Sequence, residues 1–220
     1  MTHSFVLLDL KYVLVLYKWR HPDEVSGIRV RPHASELIAF LLKQEKLQLG
    51  LICTLTTANA TKVAVKLLEA TTGTTWVRSP DFPDAELCDE KGLRVLLFDE
   101  SLCSELHPDE KGISDTPMHI LNLSLVLSAC EALAELPPGI CRCFSRERFL
   151  FVTYDDEWNC YIEKASQRSM LSIKCCNPDQ EEDTELQLLQ EYLGNFVKAE
   201  PPDVQEYLEH EENRRLPLLV

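Results

Sequence analysis

At 220 residues the chain has room for one elaborated α/β domain with a sizeable core. Hydrophobic residues make up 45% and charged residues 26%, an ordinary globular composition, and no apolar run approaches the length of a membrane span. The net charge of −14 disfavours a nucleic-acid backbone as partner and suits a basic protein or peptide segment.

The run Phe5 to Val15, FVLLDLKYVLV, reads as a core strand, apolar at nearly every position as in a parallel sheet covered on both faces. Asp9 and Lys11 lie two apart, so an extended backbone sends both side chains from one face. That places an acid and a base at the carboxyl end of a core strand, where open α/β sheets form their ligand crevice. Tyr17 to Val30 is polar and reads as a loop or short hairpin. Arg31-Pro32-His33 opens a helix, because proline suits a first helical turn. A second strand spans Leu47 to Cys53. The polar stretch Thr54 to Thr57 caps a helix over Ala58 to Ala70.

Residues 71–93 hold prolines, glycines and acids among few large aliphatics and read as a surface insertion. Leu93 to Phe98 is a strand, and Asp99 to Pro117 is again acidic and turn-rich. His119 to Leu136 has helical periodicity, ended by Pro137-Pro138-Gly139. Arg148 to Tyr154 is another core strand, followed by Asp155 and Asp156 and by a helical stretch, Glu157 to Ser166. Met170 to Lys174 is a short strand. Asp183 opens the last long helix with acids in its first turn, which favours the helix dipole. Pro201-Pro202 breaks that helix, and Asp203 to Arg215 is a charged helix or tail. Strands alternating with helices predict βαβ units and a mainly parallel sheet. Two strand ends carry acids, Asp9 and the pair Asp155 and Asp156. Carboxylates converging there would suit a hard divalent cation such as magnesium.

The 9 cysteines are odd in number, and no CxxC pair occurs. They read as reduced thiols of an intracellular compartment: cytoplasm, nucleus or mitochondrial matrix. Cys141 and Cys143 offer a redox or metal-binding alternative. The N-terminus has neither a basic n-region nor a small-residue cleavage site, so no secretory signal is expected.

The order of these strings resembles the haloacid dehalogenase superfamily. Within it, the small C-terminal-domain phosphatases of RNA polymerase II, the NLI-interacting-factor-like domain, look most similar. The family's DLDETLV motif resembles Asp9-Leu10-Lys11-Tyr12-Val13-Leu14-Val15. Its RPxxxEFL segment resembles Arg31 to Ile38, and its FTAS strand end resembles Ile52 to Leu55. Its LFRESC segment resembles Leu97 to Cys103, and its LxLDN strand end resembles Val152 to Asp156. Its DTEL recurs unchanged as Asp183-Thr184-Glu185-Leu186.

The resemblance implies a HAD-like Rossmannoid α/β domain over residues 1–208, with an enlarged acidic flap insertion at 71–118 and a C-terminal tail, 209–220. It also implies a degenerate site. Asp9 matches the nucleophile that becomes an aspartyl-phosphate. Lys11 stands where the family has the acid that serves as general acid and base, a role contributing roughly 10²–10⁴-fold. Val13 replaces a threonine. Cys53 or Thr54 falls at the phosphate-binding hydroxyl, and Leu121 at the phosphate-binding lysine, with Lys111 nearby. Asp155 and Asp156 mark the metal position if a metal is retained. Lys11 would take the place of magnesium by pairing with Asp9 or Asp155. These departures imply a catalytically inactive, phosphatase-like, protein-binding subunit of a larger complex. It would use no cofactor and dock a basic partner through the acidic insertion. The alternative is an active magnesium-dependent aspartyl-phosphate phosphatase using Asp9.

Overall fold

The computed structural model describes residues 4–21, 24–106, 118–135, 144–154, 169–176 and 183–210. Its centre is a seven-stranded sheet. The strands in chain order are β1 (Ser4–Asp9), β2 (Val15–His21), β3 (Glu24–Val30), β4 (Leu47–Ile52), β5 (Trp76–Arg78), β6 (Glu86–Asp89), β7 (Arg94–Phe98), β8 (Cys103–Leu106), β9 (Met118–Leu121), β10 (Phe149–Tyr154) and β11 (Met170–Ile173). The main sheet runs β11-β10-β1-β4-β7-β6-β5, parallel from β11 through β7 and antiparallel at β7-β6 and β6-β5. The pairs β2-β3 and β8-β9 form separate two-stranded ribbons. The helices are α1 (Ala34–Leu42), α2 (Thr57–Thr72), α3 (Leu123–Ala134), α4 (Glu185–Ala199) and α5 (Val204–Glu209). Among the described residues, no helix is long and apolar enough to cross a membrane.

Alternation along β1 builds two cores. Val6 and Leu8 face one side, where they pack with residues of α1, α2, α4 and α5. Phe5 and Leu7 face the other, where Phe149 and Phe151 of β10 join Leu123, Val126 and Cys130 of α3. The near-continuous apolar character of β1 follows from this cover on both faces. Gly50 in β4 is required by the second core. A Cβ there would stand 2.7 Å from Phe5 Cζ and 3.0 Å from Leu7 Cδ1. Overpacking of this kind typically costs about 1–3 kcal/mol. Gly50→Ala is therefore expected to lower the urea midpoint, and Phe5→Leu in the same chain to recover part of the loss. A double variant no more stable than Gly50→Ala alone would show that Phe5 is not the obstacle.

Several elements differ from the sequence reading. The run Phe5 to Val15 is not one strand. β1 stops at Asp9, and residues 10–14 form a tight turn in which the Leu10 carbonyl accepts from Leu14 N at 3.2 Å and Val15 N at 2.9 Å. Leu10, Val13 and Leu14 are fully buried, so a buried turn carries the same apolar signature as a strand. The hairpin read at Tyr17 to Val30 is present as β2-β3 and starts earlier, at Val15. The stretch 71–93 is in good part sheet. β5 and β6 extend the sheet beyond β7, anchored by Trp76 and Leu87, both buried. Residues 119–121, expected as helix, pair with β8 instead. The helix begins after Asn122, whose side chain accepts from Leu125 N at 3.2 Å. The helical expectation for Glu157 to Ser166 lies outside the described residues.

Candidate functional site

The parallel strands present their carboxyl ends on one edge. Register places Asp9 of β1 beside Ile52 of β4, which pairs Phe98 of β7. On the other flank, Leu8 pairs Val152 of β10. Asp9, Cys53, Asp99 and Thr153 therefore occupy neighbouring strand ends. Asp9 is partly buried. Its Oδ1 accepts from the Lys11 backbone N–H at 3.0 Å and its Oδ2 from the Thr153 hydroxyl at 3.3 Å. Burial pushes the Asp9 carboxyl up to about 7, although both hydrogen bonds and the Lys11 charge act the other way. Burial thus shifts the group towards its protonated form.

Lys11 does not follow Asp9 in an extended strand. The next residue, Tyr12, has a φ of 63°, a left-handed conformation uncommon outside glycine. The Lys11 ammonium lies 4.8 Å from the centroid of the Tyr12 ring. The Tyr12 ring in turn meets Tyr154 edge-on at 5.0 Å. Among the described residues, no carboxylate forms an ion pair with Lys11. The expected pairing with Asp9 is therefore not made: the turn at Tyr12 leads the side chain onto an aromatic ring. The alternative partner, Asp155, lies outside the described residues.

The left-handed turn is held by Arg31, whose guanidinium is buried at the end of β3. Its Nε donates to Asp183 Oδ2 at 2.6 Å, and Nη2 donates to Asp183 Oδ1 at 3.0 Å and to the Lys174 carbonyl at 3.1 Å. Nη1 donates to the carbonyls of Tyr12 at 3.1 Å and Val13 at 3.3 Å. Every N–H of the fork is thereby used. The Tyr12 carbonyl also accepts from Cys176 N at 3.2 Å. Arg31 and Asp183 belong to the RPxxxEFL-like and DTEL strings, and the fold brings the two strings together. Sequence reasoning took each as a local helix start. An arginine at the end of one strand and an acid opening a distant helix carry no mark of pairing at a separation of 152 positions.

Cys53 is buried at the end of β4, and burial pushes its thiol up, away from nucleophilic use. Burial also raises Cys103, to about 12, with Asp99 and Glu100 adding to the effect. Thr54 is exposed, so of the pair Cys53 and Thr54 only the hydroxyl faces solvent. Tyr17 of β2 is raised chiefly by burial, with the charges of Cys53 and Asp9 contributing, which places the hairpin beside the same strand ends. Arg78, at the end of β5, donates from Nε to Thr61 Oγ1 at 2.9 Å, and its Nη2 lies 3.9 Å from Asp99 Oδ2.

Asp155 and Asp156 lie outside the described residues, as do Lys111, Cys141, Cys143 and Cys160. Among the described residues, no group of three His, Cys, Asp or Glu side chains could hold a metal ion. The strand-end donors that are described do not fit magnesium. They offer the Asp9 carboxyl, raised by burial, the buried Asp99 carboxyl that caps Ser101 N, and an ammonium at Lys11, with no group of three ligands. Cys53, Cys88, Cys103 and Cys176 are free thiols. Leu121 lies in β9, at the ribbon rather than in the main sheet.

Among the described residues, the acids of the 71–118 stretch include a buried set and an exposed set. Glu86, Asp89 and Asp99 are buried and structural. Asp89 accepts from Lys91 N, Leu93 N and the Thr74 hydroxyl. Asp99 accepts from Ser101 N. Asp81, Asp84 and Glu90 are exposed. No protein-family model matches this chain, and no curated protein is significantly similar to it.

Proposed function

We propose that the chain is a non-catalytic, phosphatase-like domain of the haloacid dehalogenase type that acts by binding protein. The observation that carries this reading is the substitution at the strand end. Asp9 keeps its place and two hydrogen bonds, while its neighbour in the motif is Lys11, drawn onto the Tyr12 ring. In-line phosphoryl transfer depends on charge stabilisation at the transferring group and on a proton donor for the leaving oxygen. Position 11 carries no carboxyl to donate that proton, and an Asp9 carboxyl raised by burial is a weakened nucleophile.

The test is hydrolysis of a generic phosphate monoester with magnesium, on wild type, Lys11→Asp and Asp9→Asn. The wild type is expected to turn over no faster than Asp9→Asn. Wild-type turnover that Asp9→Asn abolishes would establish the active, magnesium-dependent phosphatase instead.

The partner reading rests on charge. A chain of net charge −14 that exposes Asp81 and Asp84 on the β5-β6 loop and Glu90 on the β6-β7 turn suits a basic segment along this part of the surface. Deleting 71–118 would remove three strands of the main sheet, so the surface is better probed by Asp81→Lys, Asp84→Lys and Glu90→Lys together. Binding of a lysine-rich peptide is expected to weaken with a preserved melting temperature. Unchanged binding would remove this stretch from the interface.

A further inference from the structure

α1 and α4 lie side by side and leave an open groove between them, with Phe40 on one wall and Gly194 and Val197 of α4 on the other. Contacts between the helices close it at both ends. Gln187 Nε2 lies 3.4 Å from His33 Nδ1 at one, and Lys46 pairs with Glu200 at the other. Glu191, Asn195 and Lys198 line the α4 side and are exposed. Among the described residues, neither Glu191 nor Lys198 has an ion-pair partner. Gly194 sits inside α4, where glycine weakens a helix relative to alanine. Unlike Gly50, it is not required by the packing of its own chain. A Cβ there would meet Phe40 Cζ at 3.7 Å, an ordinary contact.

We infer that this face docks a second copy of the chain, with the two α4 helices antiparallel about a two-fold axis at Gly194 and Asn195. In a two-fold contact residue i faces j of the copy, and j faces i. Glu191 stands three positions before Gly194, and Lys198 three positions after Asn195. Seven residues make two helical turns, so both charges lie on one face of α4, about 10.5 Å apart along its axis. Antiparallel pairing about the midpoint therefore sets Glu191 against the partner's Lys198, and Lys198 against the partner's Glu191. The Asn195 amide beside the axis carries both donor and acceptor and can pair with its own copy. Glycine at the axis lets the two helix backbones approach, which is the reason for it that the monomer lacks. Charge also selects a copy of the chain for this face. Two bodies of net charge −14 repel each other, whereas this groove sets one acid and one base against their opposites. None of its lining residues belongs to the strand-end crevice, so the contact leaves that crevice open to a further partner.

The test is sedimentation equilibrium of the full chain from micromolar to near-millimolar concentration. The wild-type mass is expected to rise from 25.2 kDa towards twice that value. Lys198→Glu and Glu191→Lys should each weaken association roughly tenfold, because each sets like charges together twice across the axis. The double variant, Glu191→Lys with Lys198→Glu, restores both pairs and should restore association. Gly194→Ala should raise the melting temperature and weaken association together. A wild type that stays at 25.2 kDa overturns the inference and leaves the groove to a different protein. Association that both single variants leave intact, or that the double variant fails to restore, overturns it as well.

Discussion

Replacing Arg31 with alanine is expected to destabilise the fold by about 3–5 kcal/mol, the usual result of breaking a buried ion pair from one side. A domain of ordinary stability holds only about 5–15 kcal/mol, so the variant should melt far earlier or fail to accumulate. Asp183 would be left buried without its cation, and the carbonyls of Tyr12, Val13 and Lys174 would lose their donor. Arg31→Lys keeps the charge but loses the planar fork and should recover little. Asp183→Asn should also destabilise, by stranding the guanidinium. Urea unfolding followed by circular dichroism measures all three. The exposed pair Arg146–Glu131 is the control. It has similar geometry, with Nε to Oε1 at 2.6 Å, yet both side chains are about half exposed, and Arg146→Ala should leave the midpoint nearly unchanged. Equal effects at the two sites would mean that burial is not what gives the Arg31 pair its weight.

Acid should act on the same pair. Burial pushes the Asp183 carboxyl up, but the hydrogen bonds and charge of Arg31 outweigh it and hold the group below its ordinary value. A depressed carboxylate stabilises the fold above its unfolded pKa and ceases to do so as pH falls through its folded pKa. The loss is therefore expected at the acid end, below about pH 4, and should be absent from Asp183→Asn.

Asp9→Asn is expected to do the opposite and raise stability at neutral pH. The Asp9 carboxyl moves from 3.8 to about 7 on folding. The folded state thus binds the proton more tightly, and stability falls as pH rises between those values. The full shift corresponds to about 4 kcal/mol by linkage, less in proportion to the water that reaches the partly exposed carboxyl. Asparagine removes the burial penalty and retains an oxygen for the Lys11 N–H. The stability difference between variant and wild type should grow from pH 4 to pH 7 and level off above. A variant less stable than wild type at pH 8 would show that the ionised carboxylate is well solvated.

Much of the architecture was legible because long periodic segments leave little choice. β1, β4, β7 and β10 were visible as apolar runs, and α2 and α4 as amphipathic stripes. β5 and β6 were not, because three and four residues between prolines and acids show no period. Residues 119–121 were absorbed into the helix because Ile120 and Leu121 continue its apolar spacing, and only the Asn122 cap separates them. At the site, the position of Asp9 followed from the strand-end rule. The direction of Lys11 did not, since it depends on a left-handed tyrosine that sequence disfavours and Arg31 enforces.

The Arg31–Asp183 pair also sets an order of events during synthesis. The turn that shapes the strand-end crevice is near the N-terminus, yet its clamp closes only when residue 183 arrives, 152 positions after Arg31. At roughly 5–20 residues per second, the ribosome needs on the order of ten to thirty seconds to deliver it. During that interval β1 can pair with β4, but the left-handed turn lacks the acid that fixes its arginine. The crevice is therefore completed late in translation, and shortening the chain before α4 should leave a nascent sheet whose ligand edge is unformed.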